Sequence, residues 1–284
     1  MEFTTLISIQ ELSAHFDDTN WAIIDCRFTL GNGERGYQDY LRGHIPGAIY
    51  AHLDNDLCSP IIPGVTGRHP LPSVEDMVEK FSAWGIDGHV QVVAYDDWPG
   101  VGLPVAARLW WMLRYLGHLK AAVLDGGWVK WLSEGSPVQT TMGKRPGRLF
   151  NPHIQPQLLA GRDEVEKIRL AQGFCVADAR SADRYRGENE TIDPVAGHIP
   201  GAVSLPFANN LSSEGTFHSQ ADLRVIYDET ALGTVPAERV VFYCGSGVTA
   251  AVNVLAMAHA GLGTARLYAG SWSEWITDPS RTVE

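Results

Sequence analysis

The chain has 284 residues, 45% hydrophobic and 19% charged, which suits a soluble globular protein of one large domain or two ordinary ones. Its formal net charge of −11 leaves no basic face for nucleic acid, so an anionic substrate must be drawn in by a local cationic site against the overall field. Four cysteines without a CxxC pair exclude a disulfide framework and a zinc site, no cofactor is expected, and a reducing, cytoplasmic setting fits.

In chain order, the opening MEFTTLISIQELSAHF lacks a basic segment followed by an apolar run, so no secretory signal is expected. Nothing downstream approaches the roughly 18 apolar residues that a membrane span needs. The most apolar stretch, Ala250 to Ala260, is interrupted by Asn253 and His259. A first strand is predicted at Ile23-Ile24-Asp25-Cys26-Arg27, with GHIPGAI following at 43–49. VVAYD at 92–96 predicts another strand, which leads through DDWPGVGLP into an apolar helix ending at Gly117, then VLDGGWVKWL at 123–132. Residues 136–157 are rich in Pro, Gly and polar residues without periodicity, and a linker is placed at 138–157.

The same blocks then return in the same order. Val176-Ala177-Asp178-Ala179-Arg180 answers the first strand, GHIPGAV at 197–203 the second block, VVFYC at 240–244 the third, and RLYAGSWSEWI at 266–276 the last, after a helix closed by Gly261. The chain is read as a duplicated domain, residues 1–137 and 158–284. Short β-branched runs alternating with helical segments predict an α/β fold, each half a parallel sheet with helices on both faces. In such sheets ligands sit beyond the carboxyl ends of the strands, where Cys244 falls.

Cys244-Gly245-Ser246-Gly247-Val248-Thr249 runs from that strand into a helix expected to begin near Val248 or Thr249. Gly245 and Gly247 allow the backbone N–H groups to curl inward as an anion-binding nest, and the helix start adds its positive end. A cysteine there is expected to sit as thiolate, and the same cradle would hold a terminal persulfide. In the first half, Tyr95 matches Tyr243 and Asp96 stands in the place of Cys244. That loop is four residues longer and has no thiol, so the first half is expected to be inactive and to cover the active loop of the second.

The paired GHIPGA blocks, the DGGW/AGSW echo and CGSGVT resemble the tandem rhodanese family over nearly the whole chain, and CGSGVT is similar to the loop of its 3-mercaptopyruvate sulfurtransferases. The resemblance implies a ping-pong sulfurtransferase in which Cys244 takes sulfur from a small donor as a persulfide. It then passes that sulfur to cyanide or a thiol, a thioredoxin-like protein among the acceptors. Thiosulfate as donor, or a carrier module loaded by a partner protein, are the alternatives. A phosphatase is excluded because the position six residues after Cys244, where that chemistry needs an arginine, is Ala250.

Arg184 is the first choice for holding the donor's anionic group, because its twin is Gly31 and the fold does not require an arginine there. The resemblance supports it through Asp183-Arg184-Tyr185, with Arg186 a weaker candidate. The further arginine that many 3-mercaptopyruvate enzymes carry is missing from Asn189-Glu190-Thr191-Ile192-Asp193. Ser246 could donate to the donor's carbonyl or sulfur. His44 and His198 are twins, which points to the fold, although the resemblance offers His44 a role in proton transfer. Cys26 and Cys175 are expected in the core and Cys58 at the surface, and the tryptophans at helical spacing read as packing.

Overall fold

The computed structural model describes residues 2–100, 102–230 and 232–284. It contains two all-parallel sheets. The first orders β1 (Leu6–Ile7), β5 (Ala121–Leu124), β4 (Gln91–Tyr95), β2 (Trp21–Asp25) and β3 (Ile49–Tyr50) across its width. In the second, β7 (Val203–Ser204), β6 (Cys175–Asp178), β8 (Val240–Tyr243) and β9 (Arg266–Leu267) follow in that order. Strands β2, β4, β5, β6 and β8 are buried at every position, which is why they read as continuous apolar runs rather than alternating ones.

Registers match between the halves: Asp25 pairs with Tyr95 as Asp178 pairs with Tyr243. The repeated Asp-x-Arg and GHIPGA blocks meet at this point. Asp25 holds Arg27, whose Nη2 also donates to the Gly43 carbonyl at 2.7 Å; Asp178 holds Arg180, which reaches the Gly197 carbonyl at the same distance. Tyr95 and Tyr243 accept the N–H of Ile45 and Ile199. All four charged side chains are buried, and removing one partner of such a pair costs about 3–5 kcal/mol. These blocks recur because they lock the strand ends.

Helices Ala106–Tyr115 and Ala250–His259 follow β4 and β8 and are buried through most of their length, and the left-handed Gly117 and Gly261 close them. Helices Val74–Ala83 and Gln220–Asp228 start on Ser73 and Ser219, each accepting the backbone N–H three residues on, a cap worth about 1 kcal/mol. No helix among the described residues is long and apolar enough to cross a membrane.

Two compact units result, and neither follows a single cut in the sequence. One comprises residues 1–59, 72–155 and 213–216; the other comprises 60–71, 156–212 and 217–284. The stretch expected to be a linker carries no helix or strand before Pro156, yet it is fastened to the first unit. Gln139 exchanges two backbone hydrogen bonds with His44, and the Gly143 N–H donates to the Tyr40 hydroxyl. Local periodicity misses such a segment because its order comes from partners nearly 100 residues away.

Candidate functional site

Strand β8 ends on Tyr243 and delivers Cys244 into a turn where it is only 2% exposed. Gly247 is left-handed (φ +74°), and a methyl group there would run into the Ala269 carbonyl oxygen, so glycine is required. The turn aims the Gly247 N–H at the Cys244 Sγ, 3.2 Å away. The N–H groups of Gly245, Val248 and Thr249 meet no acceptor among the described residues. Thr249 precedes helix Ala250–His259, so this end of the loop carries the positive end of a helix ten residues long.

Ser271 holds the loop from below. It is buried, its Oγ accepts the Cys244 N–H at 3.1 Å and donates to the Tyr268 carbonyl at 2.9 Å, and the Trp272 N–H donates to the Cys244 carbonyl. Its φ of +56° is the single left-handed value among the described non-glycine residues, a conformation that costs roughly 1–2 kcal/mol. Its twin in DGGW is Gly127, at φ +53°, which adopts the same backbone without that cost. The DGGW/AGSW echo is legible in the sequence, but the contacts of the Ser271 hydroxyl come only from the fold.

Three arginines and three carboxylates flank the loop. Asp178 binds Arg180; Glu190 binds both Arg180 and Arg184; Asp193 binds Arg184 at 3.1 Å and, through its other oxygen, Arg68. Burial would raise the Glu190 carboxyl, but hydrogen bonds from the Asp193 and Ile192 N–H groups and from Arg184 hold it below its ordinary range. Burial pushes Asp193 upward against the pull of its two arginines. Arg68 and its neighbour His69 come from segment 60–71, which packs within the second unit. The Arg68 N–H donates to the Ser273 Oγ at 3.0 Å, and the His69 Nδ1 lies 2.7 Å from the Ser246 Oγ, both residues buried. Neither Arg68 nor His69 lies in a repeated block, and no local signal ties them to Cys244.

The rhodanese-like domain profile matches residues 8–134 and 161–278. The chain belongs to the rhodanese family. Over 287 aligned residues it is 43% identical to the probable 3-mercaptopyruvate sulfurtransferase of Pseudomonas aeruginosa, covering 100% of this chain and 99% of that one. It is 40% identical to a putative thiosulfate sulfurtransferase of Mycobacterium tuberculosis, over 92% of this chain and 90% of the relative. The solved 3-mercaptopyruvate sulfurtransferase from Leishmania major superposes with a TM-score of 0.83 at 31% identity, covering 96% of this chain and 74% of that chain.

Within this pair of rhodanese domains the other candidate residues are placed as follows. Arg184 stands over the loop: a methyl group on Gly245 would lie 3.6 and 3.7 Å from its Nη2 and Nη1. Arg186 does not join it; more than half exposed, it is gripped by Glu188 at 2.7 and 2.8 Å, so its charge is already matched at the surface. His44 is fully buried in the first unit, stacked on Tyr40, with its ring nitrogens on the carbonyls of Tyr40 and Thr141, so both are engaged in holding the fold. His198 repeats that geometry on Tyr185. Cys26 and Cys175 are buried, and burial pushes both thiols up, that of Cys175 to about 11. Cys58, expected at the surface, is half-buried instead, its sulfur 3.7 Å from an Arg108 guanidinium nitrogen, and burial raises it too. Among the described residues no three His, Cys, Asp or Glu side chains are placed to hold a metal ion.

Proposed function

We propose that the protein is a sulfurtransferase that takes sulfur from 3-mercaptopyruvate onto Cys244 and passes it to cyanide or a thiol. The observation that carries this reading is the separation of roles around the loop. The donor on the sulfur is the neutral Gly247 N–H, while guanidinium groups stand over Gly245, the next residue along from the cysteine. Three arginines against three carboxylates leave no surplus positive charge, so the site offers directed N–H donors rather than a cationic field. That suits a donor whose single carboxylate lies apart from its reacting sulfur, more than the compact dianion thiosulfate.

The Cys244 thiolate attacks the donor's sulfur, and the carbon–sulfur bond breaks with its electron pair passing to carbon. The leaving group is the enolate of pyruvate, which takes up the proton given up by the donor's thiol, and Cys244 is left as a persulfide. The Ser246 hydroxyl, 2.7 Å from the His69 Nδ1, is the side-chain group of the loop that would donate to the enolate oxygen. In the second half, the acceptor attacks the outer sulfur and the sulfur–sulfur bond breaks, its electrons returning to Cys244; cyanide leaves as thiocyanate. The backbone N–H of Gly247, with those of Gly245, Val248 and Thr249, would stabilise the sulfur anion in both halves.

The name of the mycobacterial relative favours thiosulfate as the second reading. Measuring kcat/KM for both donors with cyanide on one preparation separates the two. The expected ratio favours 3-mercaptopyruvate by about tenfold or more, the scale of one charge-assisted contact. A ratio below one overturns the donor assignment, and no turnover with either donor points instead to a carrier loaded by a protein.

A further inference from the structure

We propose that Arg68 is a substrate-positioning residue which, with Arg184, clamps the carboxylate of the sulfur donor; this rests on the functional reading above. A carboxylate has two oxygens and is held best by paired N–H donors. Residues 189–193 supply no second arginine for this, only Glu190 and Asp193. Asp193 instead acts as a spacer between two guanidiniums, one oxygen on Arg68 Nη1 and the other on Arg184 Nη2. The nitrogens left over face the same place. Among the described residues Arg184 Nη1 and Arg68 Nη2 have no hydrogen-bond acceptor, and a methyl group on Gly245 would lie 3.7 Å from the first and 2.7 Å from the second.

Arg68 Nε is buried and likewise lacks an acceptor, so this guanidinium is poorly satisfied without a ligand. Its backbone is fixed: the N–H is bound by Ser273 Oγ, and Gly67 sits so close to the Gly270 carbonyl that a methyl group there would be 2.6 Å from its oxygen. The side chain stays 27% exposed, so a small anion can reach it. An arginine that served only to neutralise Asp193 would need neither the fixed backbone nor an idle Nη2 turned toward Gly245.

Lysine separates the two roles, since it can keep the ion pair with Asp193 but has no second arm for a carboxylate. Arg68→Ala and Arg68→Lys are compared with wild type for turnover of 3-mercaptopyruvate, for discharge of preloaded Cys244 persulfide to dithiothreitol, and for melting temperature. Both variants are expected to raise KM about tenfold with kcat changed less than about threefold, while Arg68→Lys melts as wild type does. A wild-type KM in Arg68→Lys, or discharge slowed as much as loading, overturns the proposal and leaves Arg68 a structural ion-pair partner. Failure of the wild-type protein itself to load from 3-mercaptopyruvate overturns the donor reading and this inference with it.

Discussion

Two loops at equivalent strand ends show how one backbone device can be closed or left open. After β4, the Asp96 carboxylate accepts the N–H of Trp98 at 3.2 Å and that of Ala106, the first residue of the following helix, at 2.8 Å. After β8, the Gly247 N–H meets a thiol, and three further amides have no acceptor among the described residues. In both, the main-chain carbonyl of the strand-end residue accepts the N–H of the twin tryptophans, Trp128 and Trp272. The first loop carries its own acceptor, and that carboxyl occupies the N–H groups of Trp98 and Ala106. The second holds no such side chain, and the proposed reaction would use its donors for charge that arises on sulfur. Nearby, Gly127 relaxes the backbone in the closed copy, whereas Ser271 accepts a strained conformation in the open copy and fastens the Cys244 amide. Duplication preserved the frame, and a few side chains decided what each frame can hold.

The comparison breaks most completely at the thiol. Cys244→Ser should reduce sulfur transfer to background while leaving the fold intact, because serine has nearly the same size and its alkoxide is inaccessible at neutral pH. Mass spectrometry after donor treatment should find one added sulfur on the peptide containing Cys244; finding it on Cys26, Cys58 or Cys175 would refute the assignment. Next in size, Arg184→Ala should lower kcat/KM for 3-mercaptopyruvate by about 10- to 150-fold, the value of a charge-assisted hydrogen bond. Unchanged kinetics would remove Arg184 from the donor site.

A smaller effect sharpens the other side. Burial pushes the Asp96 carboxyl up to about 7 despite its two N–H partners. An acid raised in the folded state binds its proton more tightly there than in the unfolded chain, so its contribution to stability is full below about pH 4 and is lost as pH rises through about 7. Asp96→Asn removes that loss, so its melting temperature relative to wild type should climb by a few degrees between pH 5 and 8. A flat difference would show that the carboxylate is well solvated at neutral pH. The smallest expected effect is none at all: Asp96→Cys placed in the Cys244→Ser background should not restore transfer. The longer loop closes on itself, and Pro99 and Pro104 have no N–H to contribute. Measurable turnover of the double variant would mean that the thiol alone separates the two copies.

Much of this molecule was legible in order along the chain, because duplication makes a sequence its own comparison. The paired Asp-x-Arg and GHIPGA blocks, the strand ends at Tyr95 and Tyr243, and a cysteine before a glycine-rich helix start are local patterns, and local backbone geometry follows from them. Arg184 could be singled out because its twin is glycine. Arg68 and His69 could not, since they lie more than 170 residues from Cys244 in a segment without periodicity, and only packing within the second unit brings them to Gly245 and Ser246. For the same reason the fastening of residues 139–143 to His44 and Tyr40 had no local sign. Sequence determined which strands, helices and turns form, because those depend on neighbours in the chain; tertiary structure alone decided which distant charges meet beside Gly245, because that depends on where irregular segments find their hydrogen bonds.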